Sequence, residues 1–305
     1  MTDPTGPTEP TDPAASTASA AHALSEERLE EMVAALAKTF AVAHAEDPDD
    51  RLATALVFNA GRLAWRMREG GVKTDYKTSR TDVVTDADRA AERFITAALA
   101  LLRPEDGLLG EEGTERPGRS GRTWVIDPVD GTYNFASGSD YWCSALALVE
   151  GSPQAPERLL LGAVHRPAMG YTWCGGPDLP TTRGQKAVAR LSPAPLDEVS
   201  LATYLHPTWM ARPEVHAAWA AVARRAATLR MLGAGSVDLA GVAEGTLGAW
   251  TQHSVPAWDW LPGKALVEGA GGRTREVTSG GVTWCIAGNP TAVENIAELL
   301  KEAHE

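Results

Sequence analysis

Trp124-Val125-Ile126-Asp127-Pro128-Val129-Asp130-Gly131-Thr132 is an apolar run that ends abruptly in two carboxylates. Trp124 to Ile126 read as a buried strand, and the pattern breaks at Asp127. Pro128 stiffens the bend after Asp127, and Gly131 permits a sharp turn after Asp130. Both carboxylates can then face one point, with the Val129 carbonyl between them. Two carboxylates about 4 Å apart repel by about 4 kcal/mol at an effective dielectric of about 20, so a cation is the natural resolution. Oxygen-only ligands suit Mg²⁺ or Mn²⁺ better than zinc. Two such ions roughly 4 Å apart would bridge a phosphate, activate water and stabilise a leaving oxygen.

Two more acidic clusters lie outward from this turn. Gly110-Glu111-Glu112-Gly113 directly follows Leu108-Leu109, and Trp258-Asp259 stands at the start of a helix. Ends of strands and starts of helices are where α/β proteins place reactive groups. Each cluster also has an ordinary explanation. Glu111-Glu112 alone reads as a solvated loop, and Asp259 as a cap for the helix that follows. Thr85-Asp86-Ala87-Asp88 fits a capping box, which accounts for Asp88 structurally. Cys143, Cys174 and Cys285 sit in apolar strands and read as core. His165 and His206 read as structural or exposed, and His253, just before Trp258-Asp259, is ambiguous.

The chain has 305 residues, is 44% hydrophobic and carries a formal charge of -12. A protein this acidic does not hold nucleic acid by bulk attraction. Three cysteines without a C-x-x-C pair support neither a disulfide framework nor a cysteine zinc site. The first residues lack a basic and apolar leader, and no apolar run is long enough to span a bilayer, so a cytoplasmic protein is expected. Residues 1–23 are Pro, Thr, Ser, Ala and Asp and read as a disordered tail, with 24–305 a single catalytic domain. A soft boundary is expected near Leu191 to Leu196. The periodicity predicts helices from Ser25, over Leu52–Arg68, Thr85–Leu102, Pro213–Ala227, Val237–Glu244, Asp259–Ala270 and Thr291–Ala303. It predicts strands at Trp124–Ile126, Trp142–Val149, Leu159–Val164, Tyr171–Cys174, Val199–Tyr204, Leu247–Thr251 and Val282–Ile286. Helices flanking strands of mixed direction predict a layered α/β sandwich.

Taken together the clusters resemble the inositol monophosphatase family, within the lithium-sensitive, magnesium-dependent phosphatases. The resemblance runs through Asp82-Val83-Val84-Thr85-x-x-Asp88, Gly110-Glu111-Glu112, Trp124 to Phe135, and Trp258-Asp259 with Glu268-x-Ala270-Gly271-Gly272. It implies an α/β/α/β/α fold with mixed sheets, a homodimer and hydrolysis of a small phosphorylated polyol. Myo-inositol 1-phosphate comes first, with histidinol phosphate, fructose 1,6-bisphosphate and phosphoadenosine nucleotides as relatives. By the resemblance, Glu111, Asp127 and the Val129 carbonyl hold one Mg²⁺, and Asp127, Asp130 and Asp259 a second. Glu111 helps with a weaker third ion and Glu112 contributes through water; Mn²⁺ can substitute. Asp88 and Thr132 orient and deprotonate the attacking water, and the amides of Gly131 and Thr132 cradle the phosphate. Arg230, Gly233, Gly235 and Gln252 face the alcohol, and Lys77 lies near the metals. No nucleic-acid or membrane partner is implied. Three departures stand out: Tyr133 replaces a threonine, Gln252 an acid, and Trp260-Leu261-Pro262-Gly263 follows Asp259 in place of small residues. Pro262 is expected in the first turn of its helix. The alternative reading is a phosphatase-like interaction or regulatory protein.

Overall fold

The structure, a computed structural model, describes residues 13–70, 74–76 and 83–303. Lys77 and residues 1–12 lie outside the described residues. The first layer is helical. α1 (Pro13–Ala43) begins ahead of Ser25, which therefore lies within the helix and is not its N-cap. α2 (Asp49–Glu69) opens with Asp49 and Asp50 and closes with Arg66 and Arg68, charges that suit the two ends of the helix dipole. Strands β1 (Thr74–Tyr76) and β2 (Val83–Thr85) pair antiparallel and deliver the chain to α3 (Asp86–Leu102). Apolar stripes of the three helices meet in one core, with Val33 and Phe40 of α1, Leu52 and Leu56 of α2, and Phe94 and Leu99 of α3.

This layer covers an eight-stranded sheet. β3 (Gly107–Gly110) and β4 (Glu115–Arg116) form one edge, and β5 (Arg122–Asp130) runs parallel to β3. The short helix α4 (Thr132–Ala136) turns the chain into β6 (Cys143–Ser152). An antiparallel meander follows through β7 (Ala155–Arg166), β8 (Tyr171–Gly176), β9 (Leu179–Arg183) and β10 (Lys186–Ala187). The apolar run of β5 is buried on both faces: Trp124 and Ile126 enter the core under the helices, and Val125 enters the core on the other side.

The second sheet has five strands, β11 (Ser200–Thr203), β12 (Thr228–Arg230), β13 (Ala249–His253), β14 (Arg273–Ser279) and β15 (Val282–Gly288). β11 is parallel to β12 and β13, whereas β15 is antiparallel to β13 and β14. α5 (Pro207–Met210) and α6 (Pro213–Ala223) follow β11, and α6 stops before the expected Ala227 because the chain turns there into β12. α7 (Gly235–Ala243) and α8 (Ala257–Gly269) fill the space between the sheets, where Leu239, Leu266 and Val267 meet Ala145 and Ala147 on one side and Trp250 and Ala287 on the other. α9 (Pro290–Glu302) closes the outer face with Val293 and Ile296 against Leu201, Trp284 and Ile286. The layers are thus α/β/α/β/α. Pro262 falls inside α8, beyond its first turn, because the helix starts at Ala257. β7 passes close to it at Gly162, where an added Cβ would lie 2.2 Å from the Pro262 carbonyl oxygen. All three cysteines are free and buried. Among the described residues no helix is long and apolar enough to cross a membrane.

Candidate active site

The turn after β5 is built by its own residues. Asp127 pairs with Ala145 and Asp130 with Cys143, so β5 carries one more residue than β6 across the turn. Pro128, with no N–H to give to a ladder, sits in that bulge, and its carbonyl accepts the Ser144 hydroxyl. Asp127 Oδ1 accepts the Val129 amide at 3.1 Å and so folds the turn from within. Gly131 has φ of 91°, and an added Cβ would lie 2.9 Å from Ala234 Cβ, which makes glycine necessary there.

Four carboxylates meet at this turn, two from β5 itself and one each from the turn after β3 and from α8. Asp127 is buried, and burial first, then the charges of Glu111, Asp130 and Asp259, push its carboxyl well above the usual range. It also shares a hydrogen bond with Asp259. Asp259 lies in the first turn of α8, but Pro256 is the cap residue there, so the acid faces Asp127 and does not cap the helix. Asp130 accepts the amide of Gly235 at 3.1 Å and that of Ser236, which ties β5 to the start of α7. Burial still raises its pKa against those two amides. Among the described residues, no three such side chains close into a ready-made ion cage. The cluster is a set of repelling neighbours whose all-oxygen donors fit a hard divalent cation.

Glu111 and Glu112 owe their position to a residue that the sequence reading passed over. Glu92, buried on α3, accepts the Glu112 amide at 2.9 Å and the Thr114 amide at 3.1 Å. Gly110 has no Cβ because one would lie 2.4 Å from the Glu92 carboxylate. The available signal was spacing, since Glu92 follows Asp88 by one helical turn and shares its face.

Asp88 does two things at once. Its Oδ2 accepts the Thr85 amide at 3.0 Å and the Thr85 hydroxyl, completing the expected capping box. Its Oδ1 lies 3.2 Å from Thr132 Oγ1, which is also 2.9 Å from the Val129 carbonyl oxygen. The single hydroxyl proton therefore has two acceptors. Burial, opposed by the Thr85 hydroxyl and reinforced by the Glu112 charge, lifts Asp88 to about 6.

A cleft of about 490 Å³ opens over these groups. Glu111, Asp130, Gly131, Thr132 and Asp259 line it together with Gly233, Gly235 and Gln252. Asp127 and Val129 lie buried behind it. Arg230 is not brought to it: on the exposed edge strand β12 its guanidinium donates to Thr228 Oγ1 and the Leu229 carbonyl, each at 2.9 Å. Gln252 and His253 point to opposite faces of β13, and His253 packs between Trp209 and Trp284. His206 lines the cleft, as do Asp238, Tyr133 and Tyr204, none of which the sequence reading had placed there. Asp238 accepts the Tyr141 hydroxyl at 2.6 Å, and burial pushes it up to about 7. Asn134 clamps the two sides together, donating to the carbonyls of Tyr141 at 2.9 Å and Leu232 at 2.8 Å. Among the described residues no Lys or Arg lines the cleft.

Two sheets sandwiched by three helical layers carry a carboxylate cluster at the end of a buried strand. The chain belongs to the inositol monophosphatase family, whose sequence model matches residues 45–305. It is 34% identical over 239 residues to a histidinol-phosphatase of Mycobacterium tuberculosis, covering 74% of this chain and 86% of that protein. It is 31% identical over 229 residues to an inositol-1-monophosphatase of Rhizobium meliloti, covering 72% and 82% respectively. Among solved structures, an IMPase of Thermotoga maritima superposes with a TM-score of 0.70 at 25% identity, covering 82% of this chain and 95% of that one. The extragenic suppressor protein suhB of Bartonella henselae shares the fold, with a TM-score of 0.73 at 24% identity over 83% of this chain and 98% of that one.

Proposed function

We propose that the protein hydrolyses a small phosphorylated alcohol with Mg²⁺, or Mn²⁺ in its place, held by Glu111, Asp127, Asp130, Asp259 and the Val129 carbonyl. The observation that carries this is the cleft's charge: it is lined by Glu111, Asp130, Asp238 and Asp259 with no Lys or Arg among the described residues. Among the described charged side chains a phosphate dianion entering there meets only acids, and bound cations supply the counter-charge it needs. When bound, the metal supplies that positive charge against the phosphate oxygens. Glu112 supports the same site through water.

The chain's own residues handle the proton and the orientation. The Thr132 hydroxyl receives a proton from the attacking water as it passes its own to Asp88 Oδ1. The new bond from water oxygen to phosphorus forms as the bond to the alcohol oxygen breaks, and the departing alkoxide recovers, through solvent water, the proton that Asp88 took up. The amides of Gly131 and Thr132 hold the phosphate. Gly233, Gly235 and Gln252 face the alcohol. Residues 24–305 act as one catalytic unit, a reading supported by α7 and α8, which pack against both sheets. The homodimer, the cytoplasmic setting and inhibition by Li⁺ belong to the same reading.

The test is phosphate release from myo-inositol 1-phosphate and L-histidinol phosphate by the purified protein, with Mg²⁺ or with EDTA. Turnover of at least one ester that needs Mg²⁺ and stops in EDTA is expected. Undiminished turnover in metal-free buffer would sink the mechanism.

A further inference from the structure

We propose that Ser144 is a positioning residue for the metal site, its hydroxyl fixing the Pro128–Val129 peptide and, through it, the Asp127 carboxylate and the Val129 carbonyl. This deepens the phosphatase reading and rests on it. In the run Cys143-Ser144-Ala145-Leu146-Ala147-Leu148-Val149 of β6, Ser144 carries the single hydroxyl, and it is 0% exposed. A hydroxyl placed so deep needs an acceptor, and this one donates across the sheet to the Pro128 carbonyl at 2.5 Å.

That carbonyl belongs to the bulge of β5. Pro128 and Val129 fall between the ladder pairs Asp127–Ala145 and Asp130–Cys143 and stand outside the register. The other end of the same peptide unit, the Val129 N–H, donates to Asp127 Oδ1 at 3.1 Å. Both ends of one planar group are therefore held, the oxygen by Ser144 and the hydrogen by Asp127. Because the plane is rigid, fixing its oxygen fixes where its N–H points, and the N–H orients the Asp127 carboxylate. The next carbonyl along the chain is that of Val129, which accepts the Thr132 hydroxyl at 2.9 Å.

α2 seals this contact from behind. A Cβ at Gly61 would lie 2.8 Å from His165 Cδ2 and 3.5 Å from Ser144 Oγ, so the helix passes with no side chain between. His165, the ladder partner of Ser144, is itself buried and meets the Phe58 ring edge-on at 5.0 Å. Bulk water does not reach the hydroxyl to compete for it. Without the hydroxyl the peptide can rotate within the bulge. A cation must then order the turn as it binds, which weakens binding more than it changes the occupied site.

The experiment titrates Mg²⁺ by calorimetry into the metal-stripped natural sequence, Ser144→Ala, Ser144→Cys and Thr181→Val, with metal-free thermal melts alongside. The cysteine keeps a side chain in the space with a much poorer donor. Thr181 is the control: its hydroxyl is as deeply buried and donates to the Leu266 carbonyl at 2.6 Å, outside the metal turn. Both Ser144 substitutions are expected to raise the Mg²⁺ dissociation constant by about tenfold, with kcat at saturating Mg²⁺ within about threefold of the natural sequence. Thr181→Val is expected to lower the melting temperature and leave the Mg²⁺ dissociation constant alone. An unchanged dissociation constant in the Ser144 variants, even with a loss of kcat, or an equal rise in Thr181→Val, would overturn the proposal alone. A natural sequence that takes up no Mg²⁺ would overturn the metal reading and the proposal with it.

Discussion

Asp88 divides its two oxygens between the cap of α3 and the Thr132 hydroxyl, and that division sets a pH dependence. Only the ionised carboxylate can take a proton, and burial lifts this group to about 6. With metal bound, kcat/KM rises as pH climbs through the Asp88 pKa, a limb that the cations move below the metal-free value of about 6. The effect on stability has the opposite sign. A raised folded pKa contributes stability below the ordinary carboxylate range and loses it as pH rises through about 6. Melting of the EDTA-treated protein between about pH 4 and 7 measures the second effect together with that of the other raised carboxyls, and Asp88→Asn should reduce the slope while removing activity. A rate profile flat through this range would contradict the assignment. Glu92 gives a separate prediction at the same scale. Glu92→Gln keeps one acceptor for two half-buried amides, so about 1 kcal/mol of stability is lost. The half-saturating Mg²⁺ concentration should rise as the Glu111 loop loosens. An unchanged melting temperature together with an unchanged Mg²⁺ requirement would remove Glu92 from the account. The turn from Asp127 to Thr132 was legible because proline, glycine and both acids act within six consecutive positions. Tyr204 and Asp238 were not, because they reach the cleft from the second sheet and the middle helices, and nothing local marks which way they face. Arg230 was misleading for the related reason that an edge-strand side chain can satisfy itself on its own strand.

Elements with a strong period were legible, and those without one were missed. α2, α3 and α9 follow their apolar stripes to within a few residues of the expected ends. β14 escaped because its Arg273-Thr274-Arg275-Glu276 run faces solvent and only Val277 and Ser279 are buried. β4 and β10 have two residues each, too short for any alternation to show. α1 is the element with a consequence to test. It precedes residue 45, where the family match begins, and yet its Val33, Ala37 and Phe40 are buried. Phe40 meets Phe94 of α3 edge-on, ring centroids 5.3 Å apart. Deleting residues 1–22 should leave kcat and melting temperature unchanged, because that stretch lacks large apolar groups. Deleting residues 1–43 should lower the melting temperature by several degrees or more, since losing a buried phenylalanine side chain such as Phe40 alone costs about 3–5 kcal/mol. Equal melting temperatures for the two truncations would show that α1 is an ornament on α3.

At the scale of the whole molecule, the two sheets bring one cluster together from four directions. β5 supplies Asp127 and Asp130, the turn after β3 supplies Glu111, α8 supplies Asp259, and α7 anchors Asp130 through its first amides. The layered fold was legible because β5 is apolar on both faces, which demands a core on each side. The order of strands was not, because it depends on long crossovers that leave no local trace. Bringing these acids together opposes folding until a cation arrives. The most direct measurement of that claim is a pair of thermal melts, with EDTA and with Mg²⁺, on the natural sequence and Asp127→Asn, alongside turnover. Without metal, Asp127→Asn should melt higher than the natural sequence, because burial and three neighbouring charges already oppose its ionisation. With Mg²⁺ the natural sequence should gain stability, the variant should gain little, and its turnover should vanish. A variant that melts lower without metal, or that keeps full kcat with it, would contradict the account.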